Sequence, residues 1–321
     1  MVRHKEKKMT ARTLKRGNSR NRHGAGKRIK PSVTDRLYYG ITGSLLFFIL
    51  IVVLYPLVYI VSASFSSPQA VAAGRVLLLP VDFSLEGYKA VFQYRDVYIG
   101  YRNTLFYTVS GTLINVVMTL MAAYPLSRKT LPGRGMFTFL FTFTMLFSGG
   151  MIPNYLLIKD LHLMNSPGAM ILPGAIGITN LIILRTHMQT GIPEELYEAA
   201  QIEGCSDARY FFAVVLPLSQ ATLAVITLYY GVGHWNAYFN AFLYLSSRSL
   251  FPLQIFLRDI LVMSQVDRAA VVDPETQIAI QGMSDLLKYA LIIVATAPIL
   301  IVFPFVQRYF VKGVMIGSLK G

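Results

Sequence analysis

One stretch of this sequence brings acids, small residues and a terminal glycine together at helical spacing: Gly191-Ile192-Pro193-Glu194-Glu195-Leu196-Tyr197-Glu198-Ala199-Ala200-Gln201-Ile202-Glu203-Gly204. Its chemistry is recognition. Bond-breaking chemistry finds no support, because neither H-E-x-x-H nor G-x-S-x-G occurs and no nucleophile stands beside a base at motif spacing. The 5 histidines show no paired spacing, so no metal site is expected. No G-x-x-x-x-G-K loop occurs, so the chain carries no phosphate-binding loop of that kind. The single cysteine, Cys205, excludes an internal disulfide.

Pro193 suits a first helical position, Glu194 and Glu195 fall in the first turn where the helix dipole favours negative charge, and Gly204 suits a left-handed end. A helix over 193–203, roughly three turns, follows. Pro193, Leu196, Tyr197 and Ala200 share one apolar face, with Glu195, Glu198 and Ile202 opposite. Ala199 and Ala200 are small enough for a partner to approach the backbone. Ser206 or Asp207 can cap a second helix over 208–216, presenting Tyr210, Phe211, Val214 and Val215 before Pro217 ends it. The resulting elbow carries Glu194, Glu195, Glu198, Glu203 and Asp207 against Arg209, so an electropositive groove complements it. The plain alternative is an amphipathic loop lying on its own protein's surface.

A second group of residues is polar but neutral. Asn115, Asn180, His234, Trp235, Asn236, Tyr238 and Asn240 lie in apolar surroundings, and neutral donors and acceptors beside aromatic faces suit sugars. For each Asn, a hydrogen bond between neighbouring helices is the competing role. Trp235 and Tyr238 equally suit an interfacial aromatic belt.

The elements that must position these residues follow from composition. The chain has 321 residues, 54% hydrophobic and 14% charged, with mean hydropathy +0.50, which is too apolar for an ordinary soluble domain. The net charge of +14 belongs mostly to residues 1–36, which hold 13 Lys and Arg against 2 acids. This tail has few apolar residues and reads as disordered, and it holds its side of the membrane in the cytoplasm. No aromatic interleaving or binding motif accompanies it, so nucleic acid is not an expected partner.

Six apolar spans are read at about 39–63, 103–123, 135–148, 168–184, 218–245 and 286–306. The basic loop holding Arg128, Lys129 and Arg134 marks an inside face. Counting from an inside N-terminus puts the acidic loop, 185–216, and both termini in the cytoplasm. Ser62-Ala63-Ser64 looks like a signal-peptidase site, but the apolar run before it is too long for a cleaved signal, so an uncleaved anchor is expected. The middles of the second to sixth spans hold no acid or base, which weighs against the alternative of an ion-coupled transporter or channel.

Glu198-Ala199-Ala200, Gly204 and Leu216-Pro217, at their spacing, resemble the EAA loop of ABC importer permeases. From about residue 35 to the end, the chain resembles a carbohydrate-type permease subunit of the binding-protein-dependent transport superfamily. The resemblance is carried by Tyr55-Pro56-Leu57, Asn103-Thr104, Ala123-Tyr124-Pro125-Leu126-Ser127-Arg128, Ile192-Pro193-Glu194-Glu195, Trp235-Asn236 and Val311-Lys312-Gly313. An oligosaccharide-associated subgroup is resembled through Phe147-Ser148-Gly149-Gly150, Gly233-His234-Trp235-Asn236, Phe251-Pro252-Leu253-Gln254 and Val314-Met315-Ile316-Gly317-Ser318-Leu319. Glu203 and Cys205 stand where the family usually has Asp and Ala, and Ala221 where a second proline is common.

The resemblance implies an all-α permease fold with cytoplasmic coupling helices and a sugar or oligosaccharide substrate moved by alternating access. It also implies a plasma-membrane assembly with a second homologous permease, a cytoplasmic ATPase dimer and an extracytoplasmic solute-binding protein. The elbow would enter a cleft on the ATPase.

Overall fold

The structure, a computed structural model, describes residues 32–270 and 274–318, and among these it is helical with no strand. The expected basic tail lies outside the described residues except for 32–36, and 33–36 are already helical. Helix α1, Val33–Ser64, starts where the Ser32 N–H donates to Asp35 Oδ2 at 2.8 Å, one arm of a capping box. At roughly 1.5 Å per residue it is about 48 Å long, more than a bilayer core requires. The chain divides into two units, 1–56 and 57–321. In the first, the apolar side chains from Leu37 to Tyr55 are exposed.

In the second unit the Ser62-Ala63-Ser64 run is buried, because the chain turns back there. Ser62 Oγ donates to the Leu78 carbonyl at 2.7 Å, and Ser66 Oγ donates to the Ser62 carbonyl at 2.7 Å while accepting from the Val81 N–H at 3.0 Å. Small hydroxyls are what a tight polar crossing needs. Helices α2 (Pro68–Ala72) and α3 (Glu86–Gln93) lead into α4 (Arg95–Ser127), which begins eight residues before the expected second span.

Where the sequence suggests simple spans, the chain bends. Helix α5 (Arg134–Leu146) meets α6 (Met151–Asp160) at 114° across Ser148-Gly149-Gly150. The expected fourth span, 168–184, is two short helices, α7 (Pro167–Ile171) and α8 (Ile178–Thr186), separated by an unwound 172–177 containing Pro173 and Gly174. A wide π-helical turn, His187–Gly191, ends α8, and the elbow helix α9 spans Glu195–Ile202. Then come α10 (Asp207–Tyr210), a second π turn (Phe211–Val215) and α11 (Leu216–Leu218).

The expected fifth span, 218–245, is interrupted as well. The segment Asp207–Leu218 meets α12 (Gln220–Trp235) at 78°, and a non-helical 236–238 precedes α13 (Phe239–Tyr244). Helices α14 (Leu253–Ala270) and α15 (Pro274–Ser318) complete the described chain, α15 enclosing the expected sixth span.

By length and composition, three helices can cross a membrane, Val33–Ser64, Arg95–Ser127 and Gln281–Phe305, and counting each bent pair as one span brings the number to five. Among the described residues α4 is the central post, with α12, α8, α14 and α7 packed along it, while α15 lies against α2, α14, α12 and α3. One core cluster, including Ala123, Leu126, Leu181, Leu184, Met188, Tyr210 and Ile226, sits at the end of α4 that faces the elbow. Another, with Val91, Val97, Leu253 and Leu291, sits near the opposite end. Helix α5 has no buried residue, and its Met136, Phe139, Leu140 and Phe143 are exposed, which suits a hydrocarbon solvent and not water.

Candidate functional site

The elbow is built from local rules. Helix α9 begins two residues after Pro193, with Glu194 as its cap, and ends at Glu203. Gly204 has φ +70°. The Gly204 N–H reaches the Gln201 carbonyl at 3.0 Å and the Cys205 N–H reaches the Ala200 carbonyl at 2.9 Å, the two bonds of a Schellman ending. Of the two candidate caps for the return helix, Ser206 is used: its Oγ accepts from the Arg209 N–H at 3.4 Å. That releases Asp207, whose Oδ1 accepts from the Tyr197 hydroxyl at 2.9 Å and from Gln201 Nε2 at 3.5 Å. The bond to Asp207 pushes the Tyr197 phenol above its ordinary pKa, so the hydroxyl stays a donor.

Among the described residues no atom lies within 4 Å of where a Cβ on Gly204 would stand, so backbone conformation is the constraint at this position. Gly204→Ala is expected to cost about 1–2 kcal/mol, the penalty for a left-handed non-glycine residue. Hydrogen exchange over 195–210 should speed up several-fold while exchange in α4 stays unchanged.

The faces of α9 differ from the expected ones. Tyr197 and Ala200 do turn inward onto the core with Cys205, but Leu196, placed with them by periodicity, is 43% exposed, and Pro193 is exposed too. Ala199 and Ala200 therefore do not share a contact surface: Ala199 faces out beside Glu195, Glu198 and Ile202, the last 88% exposed. Glu194 pairs with Lys129, while Glu195, Glu198 and Glu203 form no ion pair among the described residues. Pro217 does not stop the return helix, which runs one residue further, to Leu218, before the chain bends at Ser219.

The neutral polar residues separate into groups. Asn115, 1% exposed, donates through Nδ2 to the Gly174 carbonyl of the unwound segment, and its Oδ1 lies 2.6 Å from His234 Nε2. A Cβ on Gly111 would stand 2.4 Å from that same ring nitrogen, so only glycine lets His234 in. Tyr230, absent from the sequence-based candidates, completes the arrangement. Its hydroxyl is 2.7 Å from Thr119 Oγ1 and accepts from the Gly177 N–H at 2.9 Å. Neighbouring helices thus satisfy backbone groups that the break in the helix frees. Asn180 is half-buried beside this segment.

Trp235 is a packing residue: it is buried, and Nε1 donates to the Ala295 carbonyl at 3.0 Å, fastening α12 to α15. Asn236, Tyr238 and Asn240 are exposed. Asn236 Nδ2 donates to the Val232 carbonyl at 3.0 Å, and Tyr238 stacks on Phe242.

A further set sits at the other end of α4. Asn103 Nδ2 donates to the Ser249 and Phe251 carbonyls at 2.7 and 3.0 Å, Thr104 Oγ1 accepts from the Leu253 N–H at 2.9 Å, and the Tyr107 hydroxyl donates to the Leu250 carbonyl at 2.8 Å. Asn103-Thr104-x-x-Tyr107 puts three hydrogen-bonding side chains on one helical face, a spacing that could have been noticed.

Comparison with known proteins agrees with this architecture. The pattern described as "Binding-protein-dependent transport system inner membrane component" matches residues 97–316. The polygalacturonan/rhamnogalacturonan transport system permease protein YtcP of Bacillus subtilis (strain 168) is 42% identical over 293 residues, covering 91% of this chain and 100% of its own. Protein LplC of the same organism is 40% identical over 270 residues, 84% of this chain and 90% of its own. Among solved structures, a bacterial ABC transporter involved in the import of the acidic polysaccharide alginate includes a chain superposing with TM-score 0.79 at 34% identity, covering 88% of this chain and 99% of that one. A helical bundle with a projecting acidic elbow, apolar surfaces and near full-length similarity to transport permeases leads to one assignment: this chain belongs to the family of binding-protein-dependent transport system inner membrane components, and is a permease, not an enzyme.

Proposed function

We propose that the chain imports an oligosaccharide derived from an acidic polysaccharide, as one half of the membrane channel of an ATP-driven importer. The observation that carries this reading is the similarity, over nine-tenths of the chain, to a permease named for polygalacturonan and rhamnogalacturonan, together with the alginate importer as structural neighbour. The channel comprises six spans with both termini in the cytoplasm. The bent pairs α5/α6 and α10–α12 and the broken α7/α8 each serve as one crossing. The other half is a second homologous permease, an extracytoplasmic binding protein delivers the sugar, and a cytoplasmic ATPase dimer drives closure. The elbow enters a cleft on that ATPase with Glu195, Glu198 and Ala199 outward. His234 and Asn180, at the unwound segment, line the sugar path, with Asn115 buried behind the His234 ring and Asn236, Tyr238 and Asn240 at the mouth.

The test is uptake of oligogalacturonides, released by partial hydrolysis of polygalacturonan, into vesicles carrying the complete assembly. Uptake is expected to require ATP and to persist when ion gradients are collapsed. Uptake that survives ATP depletion with a gradient kept would identify an ion-coupled transporter instead. ATP-dependent uptake of neutral oligosaccharides alone would keep the importer and overturn the acidic substrate.

A further inference from the structure

Arg128 is the last residue of the Ala123-Tyr124-Pro125-Leu126-Ser127-Arg128 run, one position beyond α4. Its guanidinium carbon stands 4.9 Å from the Tyr124 ring centroid, 4.9 Å from that of Tyr197 and 5.0 Å from that of Tyr210. Those rings belong to three elements: the last turn of α4, the elbow helix α9 and the return helix α10. Tyr197 and Tyr210 meet edge to face at 5.2 Å. Nε and Nη2 of Arg128 are buried with no hydrogen-bond partner among the described residues. The rings are therefore the chief attraction this cation has there, and cation–π attraction strengthens as water is removed.

The joint is also closed from outside. The Tyr124 hydroxyl donates to the Asp207 carbonyl at 3.3 Å and Tyr197 donates to the Asp207 carboxylate, so Asp207 ties two of the rings. Next in sequence, Lys129 pairs with Glu194 at the start of α9. The polar and cation–π links from the basic end of α4 to the elbow helix run through these few side chains, beside the apolar contact of Tyr197 and Ala200 with the core that holds Ala123 and Leu126, and α4 is the post along which the rest of the unit packs.

We propose that Arg128 is a positioning residue for energy coupling: its cation, held by three tyrosine faces, makes the elbow and α4 move as one body. The inference rests on the reading of the elbow as the ATPase-docking element. Without the cation, the elbow still folds and docks, because its Schellman ending and the Ser206 cap are local. Its displacement is no longer passed to α4.

The experiment uses the complete assembly with its ATPase and binding protein in proteoliposomes, oligogalacturonides as the transport probe, and two readouts: ATPase retained on purification, and sugar moved per ATP hydrolysed. Arg128→Met, which keeps the side-chain stem, is expected to retain the ATPase and to lower sugar moved per ATP by about tenfold, within the usual range of coupling between sites. Arg128→Lys, still a cation, is expected to recover most of the ratio. Tyr197→Phe should behave as wild type toward the cation, and Tyr197→Leu like Arg128→Met. A wild-type ratio in Arg128→Met, or no recovery in Arg128→Lys, overturns the proposal. Loss of the ATPase from Arg128→Met also overturns it, since the residue would then serve docking. If Arg128→Met does not accumulate, Tyr197→Leu reads the same joint with the cation intact, and a wild-type ratio there is equally fatal. Normal transport by Glu198→Lys would instead remove the docking reading, and this proposal with it.

Discussion

Glu198→Lys is expected to lower uptake by at least about 100-fold while the chain still reaches the membrane in normal amount, a factor equivalent to about 2.7 kcal/mol of lost transition-state or binding free energy. Glu198 stands on the outward face of α9 and forms no ion pair among the described residues, so its reversal disturbs little within the chain. Against an electropositive groove the same change turns an attraction into a like-charge contact, which costs several kcal/mol at an interface. Glu194 serves as the internal comparison, because it already engages Lys129 at the surface, where such pairs contribute about 0–1 kcal/mol. Uptake per milligram of membrane protein, with the amount of bound ATPase, decides the matter. Unimpaired uptake would show that α9 does not dock through this face.

The second large effect is expected at Asn103, 6% exposed near the opposite end of α4. Asn103→Ala removes both donors to the irregular segment that leads into α14. The Ser249 carbonyl keeps a long contact with Arg102 Nη2 at 3.4 Å, but the Phe251 carbonyl has no other donor among the described residues. Ser249 is exposed and keeps that partner, so one part-buried carbonyl is left unpaired, and a loss of about 1–3 kcal/mol is expected. That is a large part of a typical margin of about 5–15 kcal/mol. Thermal unfolding of the purified protein in detergent should show it. Tyr107→Phe, which removes one hydroxyl donating to the Leu250 carbonyl, should cost only about 1 kcal/mol. Equal midpoints for wild type and Asn103→Ala would show that water replaces the amide.

Elements whose ends are set by local chemistry were readable in the sequence. Gly204 and the acids near Pro193 delimit the elbow helix to within a residue or two, because a left-handed ending and a favourable dipole depend on neighbours in sequence. The bends of 114° and 78° were not readable, since a bend angle depends on which surface the second arm packs against. The outward turn of Ala199 was lost for a related reason. Periodicity ranks faces by hydrophobicity, whereas the rotation of α9 is set by Tyr197, tied to Asp207 and stacked under Arg128. Arg128 itself read as one more positive charge at an inside face. Its i, i+4 relation to Tyr124 was visible, but Tyr197 and Tyr210 come from a distant part of the chain. Trp235 and Asn115 show the limit for the sugar path, since a buried polar atom looks the same in sequence whether it meets a carbonyl or a substrate.

The two π turns, His187–Gly191 and Phe211–Val215, lie one on each side of the elbow. The first closes α8; the second runs on into α11 and holds one residue more than an α turn, so the helix beyond it is out of phase by about 100° with the helix before it. Passing that surplus residue along the chain would screw the adjoining segment through the same angle and advance it by about 1.5 Å. The return arm of the elbow thus carries a slack thread, and a push on it can be taken up as rotation as well as translation.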